Sequence, residues 1–570
     1  MPEVQKYSLV DELIKADSKF MNSPALLGSA MLTYPCGVNA MRSTMFTSHL
    51  KQFLNLINPD FPLLFTGTEN LVGKYSDGYE KAKHKLRVIK KVVKYEDILE
   101  HPNIYQMFVF DEVTKTYDVI ERTPEESLTE NFGYLLNNEM IDSLKEDDII
   151  DEGTVLYRSY SYDENMNYRY GKNVNVAYTL DPYTSEDAAV ASKSLCEQFV
   201  NIETEDITIG LNQNDFLINI YGDEKHYKPL PDIGEITSDR LCVVRRQFNN
   251  QLLFDFKESS LCEAHEGDLI YFVDKDVEIV DYTIYSNQEE IVDNPFSAQI
   301  NKYLRSQNIY WRKIFKETDK ILKSGFGYTR DIEYLWKRSQ EFLDNTNKKW
   351  IDGDHEFGNM ILVVSFKRYA PLAKGSKLTG RFGNKSVVAE IREDEDMPFT
   401  VYENGEVVRA DLLINLLAII NRTTAEVLDE LFVTGASKKL CIRLSMLETL
   451  KEQEDLLFDF IGTFNTREEM KLREYYKNLK TKKRKEEFMK HTIESLVYIN
   501  QLPIAEDEPM FYKCKRAMEK FDFLVEDYVY INKWGQTFKT LSKTWFGRMY
   551  ILKQNLGIQN PSNCWELLRA

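Results

Sequence analysis

The sequence has 570 residues, of which 43% are hydrophobic and 12% aromatic, so the chain can bury substantial cores and is not a disordered protein. A chain of this length is too long for one core and predicts roughly three to four domains. The net charge of −19 excludes a protein that simply coats nucleic acid, because such proteins are basic. Any polyanion site must therefore be a focal positive patch on an acidic body, or be completed by partner chains.

The cysteine pattern and the apolar runs predict a soluble intracellular protein. The seven cysteines form no C-x-x-C pair, which predicts reduced thiols and no zinc site. The N-terminus lacks the apolar core of a signal peptide. The longest apolar runs, ILVVSF and LLINLLAII, are too short to span a bilayer, so no membrane partner is expected.

The first segment, residues 1–95, ends in the lysine-dense run KAKHKLRVIKKVVKY. By default such a run is a solvated face, and the alternative is a strip that follows a phosphate backbone. Residues 96–160 are acidic and loop-rich and predict a connecting surface region. Next, NVNVAYTL from residue 173 predicts a buried strand, and AAVASKSLCEQFV predicts a helix at 188–200.

Residues 205–290 contain several runs typical of strands, including QLLFDF. Two helices follow, because buried residue types recur at helical spacing: Ile300, Leu304, Trp311, Ile314 and Ile321 in the first, and Ile332, Leu335 and Phe342 in the second. ILVVSF at 361–366 predicts another strand. After Arg422 the pattern becomes helical.

A capping box is predicted at Thr466–Glu469, at the start of one long helix. That helix would carry a basic cluster of four residues: Lys480, Lys482, Lys483 and Arg484.

The segment with the clearest chemical content is KGSKLTGRFGNKSVVAEIREDEDMPF, residues 374–399. Lys377 and Lys385 lie eight residues apart, with Gly380, Arg381 and Gly383 between them. Glycines allow a sharp turn and a close approach to a ligand, so both lysines can converge on one anion, most naturally a phosphate chain. The open alternative is a basic surface turn. The spacing fits neither a Walker A loop nor a dinucleotide-binding fingerprint.

This segment closely resembles the G-D-K-x-x-G-R-H-G-N-K-G motif, with its following E-D-M-P-Y, of the β subunit of multisubunit DNA-dependent RNA polymerases. Other segments resemble that family in the same order over most of the chain. They are NAMRSTMFTSHLKQF, PLLFTGTEN, GKNVNVAYTLDPYTSEDAAVASKSL, ADLLINLLAIINR and SKTWFGRMYILKQN. The departures include Ser376 for Asp, Phe382 for His and Ser386 for Gly, and the Pro/Gly pattern around Arg422 is lost.

The resemblance implies nucleotidyl transfer from a nucleoside triphosphate to an RNA 3′-hydroxyl. Lys377 and Lys385 would act on the RNA 3′ end and the reacting phosphates, and Arg42 and Arg422 on the β- and γ-phosphates. Further contacts to NTP or nucleic acid would come from Gln52, Arg381, Asn384, Lys480, Lys482, Lys483 and Arg484.

The resemblance also implies Mg²⁺ as cofactor. Glu186 and Asp187 match an acidic pair near the second Mg²⁺, which they would contact directly or through water. The main catalytic ion of the family is held by an aspartate triad, N-A-D-F-D-G-D, in the β′ subunit. This sequence contains no such triad. The chain is therefore expected to supply half of an active site.

The fold implied is multidomain α+β, with a double-psi β-barrel interrupted by a flap-like insertion. The barrel would comprise 161–205 and 355–430, and the flap-like domain 206–354. Residues 1–95 would form a fork and nucleotide-site segment. Residues 431–570 would form a helical region that contacts the RNA–DNA hybrid or β′.

The resemblance reaches only the C-terminal half of β, which suggests a split subunit like those of very large bacteriophages. The expected partners are an N-terminal β-like chain, β′-like chains, template DNA, RNA and NTPs, and a promoter-specificity subunit is a further partner that the resemblance allows. The expected location is the host cytoplasm, with a virion-packaged form as a second option. The competing interpretation is a non-catalytic β-like scaffold or promoter-binding subunit.

Overall fold

The computed structural model describes most of the chain. The described residues are 30–34, 38–50, 52–72, 79–123, 125–129, 132–212, 215–223, 226–246, 262–286, 297–343, 351–352, 355–356, 360–422, 424–501, 509–533 and 535–555. The predicted strand QLLFDF lies outside them. Among the described residues, no helix is both long and apolar enough to span a bilayer.

In chain order, the helices of the described residues are α1 Ala40–Leu50, α2 Glu69–Val72, α3 Glu139–Ser143, α4 Lys193–Gln198, α5 Ala298–Leu322, α6 Arg330–Leu343, α7 Leu417–Arg422, α8 Glu426–Met446, α9 Leu450–Phe464, α10 Thr466–Asn478, α11 Lys482–Ser495 and α12 Met510–Lys520.

The strands of the first half are β1 Leu64–Phe65, β2 Tyr79–Lys81, β3 Leu86–Val93, β4 Tyr105–Asp111, β5 Thr116–Arg122, β6 Glu125–Thr129, β7 Phe132–Asn137, β8 Ile149–Ile150, β9 Val155–Ser159, β10 Lys172–Tyr178, β11 Ala188–Ser192, β12 Asn201–Leu211, β13 Asp215–Leu217, β14 Ile236–Arg246 and β15 Leu269–Ser286. Those of the second half are β16 Gly327–Tyr328, β17 Ile351–Asp352, β18 His355–Glu356, β19 Met360–Ala370, β20 Lys377–Thr379, β21 Lys385–Arg392, β22 Phe399–Val401, β23 Val407–Arg409, β24 Leu412–Ile414, β25 Ile499–Asn500, β26 Val529–Lys533, β27 Gln536–Lys539 and β28 Gly547–Gln554.

The chain divides into two compact units, each drawn from separate segments. The first unit combines Met1–Ser76, Ser161–Val200 and Pro371–Ala570, and the second combines Asp77–Tyr160 and Asn201–Ala370. In sequence, the second unit therefore interrupts the first unit twice, at residues 77–160 and at residues 201–370. The second unit takes in the whole of the predicted connecting region, 96–160, and the predicted flap-like domain, 206–354.

A closed six-stranded barrel organises the first unit, with strand order β10-β24-β11-β21-β20-β28 and β28 pairing back to β10. Alternate residues of its strands face two different cores. Val174, Val176 and Ala189 belong to the larger core, and Ala177 and Val190 to the smaller one. This burial on both faces explains why β11 and β24, with the sequences AAVAS and LLI, are almost continuously apolar.

Two barrel strands come from places where the sequence predicted helix. AAVAS at Ala188–Ser192 is strand β11, and only Lys193–Gln198 is helical. The strand is held between β21 and β24, so the barrel ladder overrides the helix propensity of its alanines. The sixth strand, β28, comes from the predicted helical C-terminal region.

Helix α8 packs closely on β28 because two glycines remove the side chains between them. A Cβ on Gly547 would lie 2.1 Å from the Leu431 carbonyl oxygen, and one on Gly435 would lie 2.7 Å from the Phe546 carbonyl oxygen. The helical layer therefore lies directly against the barrel wall.

The predicted capping box is replaced by a different cap. The side chain of Asn465, not Thr466, accepts hydrogen bonds from the backbone of Arg467 and Glu468. Glu469 pairs with Arg473 at 2.5 Å, one turn along the helix. The predicted long helix is also two helices, because α10 ends at Asn478 and Thr481 caps α11 anew.

The second unit contains two large sheets and the two-stranded pair of β17 and β18. One has the order β13-β14-β15-β19-β12-β7-β9-β2, with β6 paired to β7, and the other has the order β16-β5-β4-β3-β8. The two predicted helices of this unit are confirmed as α5 and α6, and Trp311 stacks on Phe342 between them with ring centroids 4.7 Å apart.

Residues 96–160, predicted as a loop-rich connecting region, instead contain the six strands β4 to β9 of this unit. Strand β4 is buried at every position, and the acidic residues that suggested loops lie mainly in turns and at strand edges. The lysine-dense run lies in the same unit, on β2 and β3. Lys90 on β3 pairs with Glu146 at 2.7 Å, and Lys94, the residue after β3, is buried against Asp281 at 2.6 Å.

Candidate functional site

The lysine motif folds as a β-hairpin, residues 377–392, which we call the lysine hairpin. In its ladder Lys377 is opposite Val387, and Thr379 is opposite Lys385. Because side chains two residues apart on a strand share a face, both lysines project from the same face of the hairpin. The pair predicted from sequence spacing is therefore brought together by strand register.

Helix α1 packs against the loop of the lysine hairpin. The Arg42 guanidinium donates a hydrogen bond to the Gly383 carbonyl oxygen at 3.1 Å. Gly383 has φ +69°, and a Cβ there would lie 3.2 Å from both the Arg42 carbonyl oxygen and the Met45 Cβ. Glycine at this position thus allows both the turn and the close approach of the helix.

Arg422 also lies close to the lysine hairpin, because it lines a hollow together with Asn384 and Lys385. The run LLAIINR, which lacks the family's Pro/Gly pattern, forms the short helix α7, and Arg422 is its last residue. The Asn415 side chain accepts a hydrogen bond from the Leu417 backbone at 2.9 Å and so fixes the start of that helix. The Arg422 guanidinium contacts the carboxylate of Asp187.

Two adjoining hollows meet at Lys385. One, of about 610 Å³, is lined by Lys385 and by α1 and the residues after it, including His49 and Gln52. The other is lined by Lys385 together with Glu186, Asp187, Asn384 and Arg422. Lys385 therefore faces both hollows, and five other side chains predicted from sequence line one hollow or the other.

The positive charges of the site are close enough to disfavour one another. Burial and then Lys377 lower the pKa of Lys385, and burial and then Arg422 lower the pKa of Arg42. We call Arg42, Lys377, Lys385 and Arg422 the cation cluster. Positive side chains that lie close together without an equal number of carboxylates beside them are typical of a site whose ligand is an anion.

His49 is a site residue that the sequence interpretation missed. It lies seven residues after Arg42, so both occupy one face of α1, and this spacing was the available signal. Its Nδ1 is 2.9 Å from the Thr379 hydroxyl oxygen on β20. Burial, followed by Lys385 and Arg42, lowers the pKa of His49 to about 4, so the imidazole is neutral at pH 7.

Arg381 does not face the hollows. Its side chain is fully buried, and its Nη2 lies 2.6 Å from the Glu430 Oε1. This placement does not support the predicted direct contact with a nucleotide and favours a structural role.

The remaining predicted contacts divide into two groups. Gln52 and Asn384 line the hollows. The basic cluster Lys480, Lys482, Lys483 and Arg484 is solvent-exposed at the start of α11 and lines neither hollow.

Glu186 and Asp187 are the residues predicted to lie near Mg²⁺, and their surroundings show what kind of cation site they fit. Glu186 is exposed, with φ +51°, and Asp187 is partly exposed beside Arg422. Within the described ranges no three or more His, Cys, Asp or Glu side chains are grouped as a metal site. Mg²⁺ often binds through one or two protein carboxylates and completes its shell with water and substrate phosphates. The pair fits a shared cation of that kind and does not fit a self-contained metal centre.

The departures from the family motif have visible consequences in the hairpin. Phe382 is fully buried and stacks on Tyr34, with ring centroids 6.1 Å apart and planes 9° apart. Ser376 is buried, and its hydroxyl accepts a hydrogen bond from the Ala373 backbone at 3.1 Å. Both residues stabilise the hairpin base or loop without adding charge to the site.

The fold and site define a class: an α+β protein whose closed barrel gathers cationic side chains around one pair of hollows. The family model described as RNA polymerase Rpb2, domain 6, matches residues 253–542, which is more than half of the chain. The chain belongs to this family.

Similar proteins include three bacterial proteins named DNA-directed RNA polymerase subunit beta. That of Lactobacillus delbrueckii subsp. bulgaricus is 23% identical over 440 residues, which are 76% of this chain and 31% of the relative. Those of Listeria welshimeri and Exiguobacterium sp. are each 23% identical, over 71% of this chain and 30% of the relative. The chain thus spans about a third of the length of the curated relatives it matches.

Proposed function

We propose that this chain is a subunit of a multisubunit DNA-dependent RNA polymerase, equivalent to the C-terminal part of β. The observation that carries the proposal is that Lys385 and Arg422 line adjoining hollows, with Lys377 close to Lys385 and Arg42 close to Arg422. The family assignment and the similarity to β subunits support the same interpretation.

In this proposal the cation cluster binds phosphates. Nucleotidyl transfer concentrates negative charge on phosphoryl oxygens, and catalysis depends mainly on positioning and electrostatic stabilisation. Lys377 and Lys385 bind the RNA 3′ end and the reacting phosphates. Arg42 and Arg422 hold the β- and γ-phosphates, and Gln52 and Asn384 line the path of the substrate.

Glu186 and Asp187 would hold the second Mg²⁺ together with the nucleotide. The ion, when bound, stabilises the charge on the leaving pyrophosphate. Asp187 contacts Arg422 in the structure, so the chain's own task is to keep this carboxylate and this guanidinium side by side at the hollow. The main catalytic ion belongs to a β′-like partner in this proposal.

The finer fold assignment is also a proposal. The closed six-stranded barrel is assigned as the double-psi barrel of β, and part of the second unit as the flap-like domain. The exposed cluster Lys480, Lys482, Lys483 and Arg484 would contact backbone phosphates of the RNA–DNA hybrid. The expected partners are an N-terminal β-like chain and β′-like chains, as in the split polymerases of very large bacteriophages acting in the host cytoplasm.

The decisive experiment is reconstitution. The chain is co-expressed with the candidate β-like and β′-like chains of the same genome, and template-dependent incorporation of labelled NTPs is measured. We expect incorporation by the complex and none by the chain alone. Incorporation by the isolated chain would contradict the half-site, and a complex with full activity after loss of all four cluster cations would favour the non-catalytic scaffold.

A further inference from the structure

The lysine hairpin is tied to the protein interior through one arginine. Arg381 lies in the hairpin loop and is fully buried. Its Nη2 contacts the Glu430 carboxylate on α8 at 2.6 Å, and its Nη1 donates a hydrogen bond to the Leu64 carbonyl oxygen of β1 at 2.5 Å. A single guanidinium therefore joins the loop to two other elements.

The same ion pair also reaches β28, the other barrel neighbour of β20. The Glu430 oxygen that receives Arg381 accepts a second hydrogen bond from the Tyr550 backbone at 3.1 Å. The Arg381 guanidinium lies 5.6 Å from the centre of the Tyr550 ring. The Tyr550 hydroxyl in turn donates to the Asp60 carbonyl oxygen at 2.7 Å. The loop, α8 and β28 thus share one buried polar network.

The charges in this network hold the arginine in its ionised form. Burial opposes that form, but the Glu430 carboxylate outweighs it and raises the pKa of Arg381. Glu69 adds a second buried carboxylate, which accepts hydrogen bonds from the Thr66 and Gly67 backbones at 3.0 and 3.1 Å. A planar guanidinium can bind two separate acceptors at fixed angles, and an ammonium cannot reproduce that fork.

We propose that Arg381 is a positioning residue: its buried contacts with Glu430 and Leu64 hold the hairpin loop so that Lys385 faces both hollows. Lys385 lies only four residues after Arg381 and is the first residue after the loop, so a shift of the loop moves its ammonium group directly. The catalytic consequence of this role rests on the proposed function, and the structural role does not.

The first test measures Lys385 without nucleotide or partner chains. The isolated chain is acetylated over a range of pH, and the pH midpoint of labelling is determined for Lys385 and for Lys374 by mass spectrometry. Arg381→Lys and Glu430→Gln are compared with Arg392→Lys, a control that alters the Arg392–Asp181 pair at the far end of β21. Circular dichroism confirms that each variant is folded.

We expect the Lys385 midpoint to rise in Arg381→Lys and in Glu430→Gln, because a displaced hairpin re-exposes the amine to water. The Lys374 midpoint stays constant in every variant, and Arg392→Lys leaves Lys385 unchanged. If Glu430→Gln does not fold, Glu430→Asp replaces it, since it keeps the charge and only shortens the contact. An unchanged Lys385 midpoint in folded Arg381→Lys would overturn the proposal.

The second test uses the reconstituted polymerase. A misplacement of about 1 Å can cost about 10²-fold in rate, so both single variants should lower kcat by up to about that factor, with a smaller change in KM for NTP. The double variant should be no slower than either single variant, because both break one network. A raised KM in Arg381→Lys alone would instead show direct nucleotide contact. A complex that is inactive even without substitutions would contradict the proposed function and leave the labelling result standing.

Discussion

At the scale of single residues, the site consists of positive charges that the fold holds together against their repulsion. Among the described residues, no carboxylate lies within ion-pair distance of Lys377 or Lys385, whereas the nearby Lys374 pairs with Glu390 at 3.2 Å. Burial and Lys377 already lower the pKa of Lys385. An anionic ligand would relieve this repulsion, so binding energy and electrostatic catalysis would come from the same side chains.

Replacing Lys385 with Ala should slow nucleotide addition by the reconstituted polymerase about 10²- to 10³-fold, as removal of a preorganised charge from a developing oxyanion does. Lys377→Ala should act in the same direction. Lys374→Ala is the matched control on the same segment, because Lys374 is exposed and paired elsewhere. Single-nucleotide extension rates decide the question, and wild-type rates in both active-site variants would reject the assignment.

His49 makes the unfolding free energy of the chain depend on pH, and this dependence is measurable in the isolated chain. The unfolded chain protonates this histidine below its ordinary pKa of about 6.5, while the folded chain keeps it neutral down to about 4. Its contribution to stability is therefore complete above about pH 6.5, falls as the pH drops, and is gone near pH 4.

Between about pH 7.5 and pH 5, this histidine alone should cost about 2 kcal/mol of unfolding free energy. His49→Gln removes the titration, so the variant should lose about that much less than the wild type over the same interval. Urea unfolding at both pH values measures the difference. Equal losses in the two proteins would show that the folded His49 has an ordinary pKa.

At the scale of elements, the site depends on how α1 approaches the lysine hairpin. The hairpin loop presents a carbonyl to Arg42 and a glycine to the helix backbone, and Thr379 on β20 meets His49 from the same helix. Helix and hairpin are far apart in sequence, so their contact is purely tertiary. Small changes at the glycine should therefore affect both stability and the position of Arg42.

Gly383→Ala and Gly375→Ala form a matched pair that separates crowding from backbone strain. Both glycines have positive φ, +69° and +89°, so each alanine should cost about 1–2 kcal/mol of unfolding free energy. Nothing lies within 4 Å of a Cβ on Gly375, whereas one on Gly383 meets Arg42 and Met45. Denaturant unfolding should show a larger loss for Gly383→Ala. Equal losses would show that the α1 contact adapts without cost.

At the scale of the whole molecule, an acidic chain carries a small number of basic surfaces. The net charge of −19 opposes general adhesion to nucleic acid, so contact with a polyanion must occur where cations are concentrated. Two such places among the described residues of the first unit are the cation cluster and the exposed start of α11 at Lys482 and Lys483. In α11, each of these lysines has a loose partner one turn along, at 3.6 and 3.9 Å.

If the start of α11 contacts backbone phosphates, Lys482→Gln combined with Lys483→Gln should reduce the salt dependence of nucleic-acid binding by the reconstituted complex. Each lost phosphate contact lowers the slope of log K against log salt by about one. Lys490→Gln is the control, since Lys490 lies two turns further along the same helix and also has a loose acidic partner. Identical slopes for the double variant and the wild type would exclude this contact.

The turn of the lysine hairpin and the long amphipathic helices could be predicted from sequence because their signals are local. The order Lys377, Gly380, Gly383, Lys385 already specifies a turn between two cations, and the spacing of Ile300, Leu304 and Trp311 already specifies a helix. The physical reason is that turn chemistry and helical periodicity act over a few residues.

Tertiary packing alone decided the rest. AAVAS became a strand because two barrel neighbours pair with it, and Arg381 became a buried tether because Glu430, 49 residues away, lies beneath the loop. The burial of a charge and the pairing of a strand depend on partners distant in sequence, and no local pattern encodes those partners. The cation cluster itself is of this kind. Its residue types are visible in the sequence, but their convergence exists only once the barrel has closed.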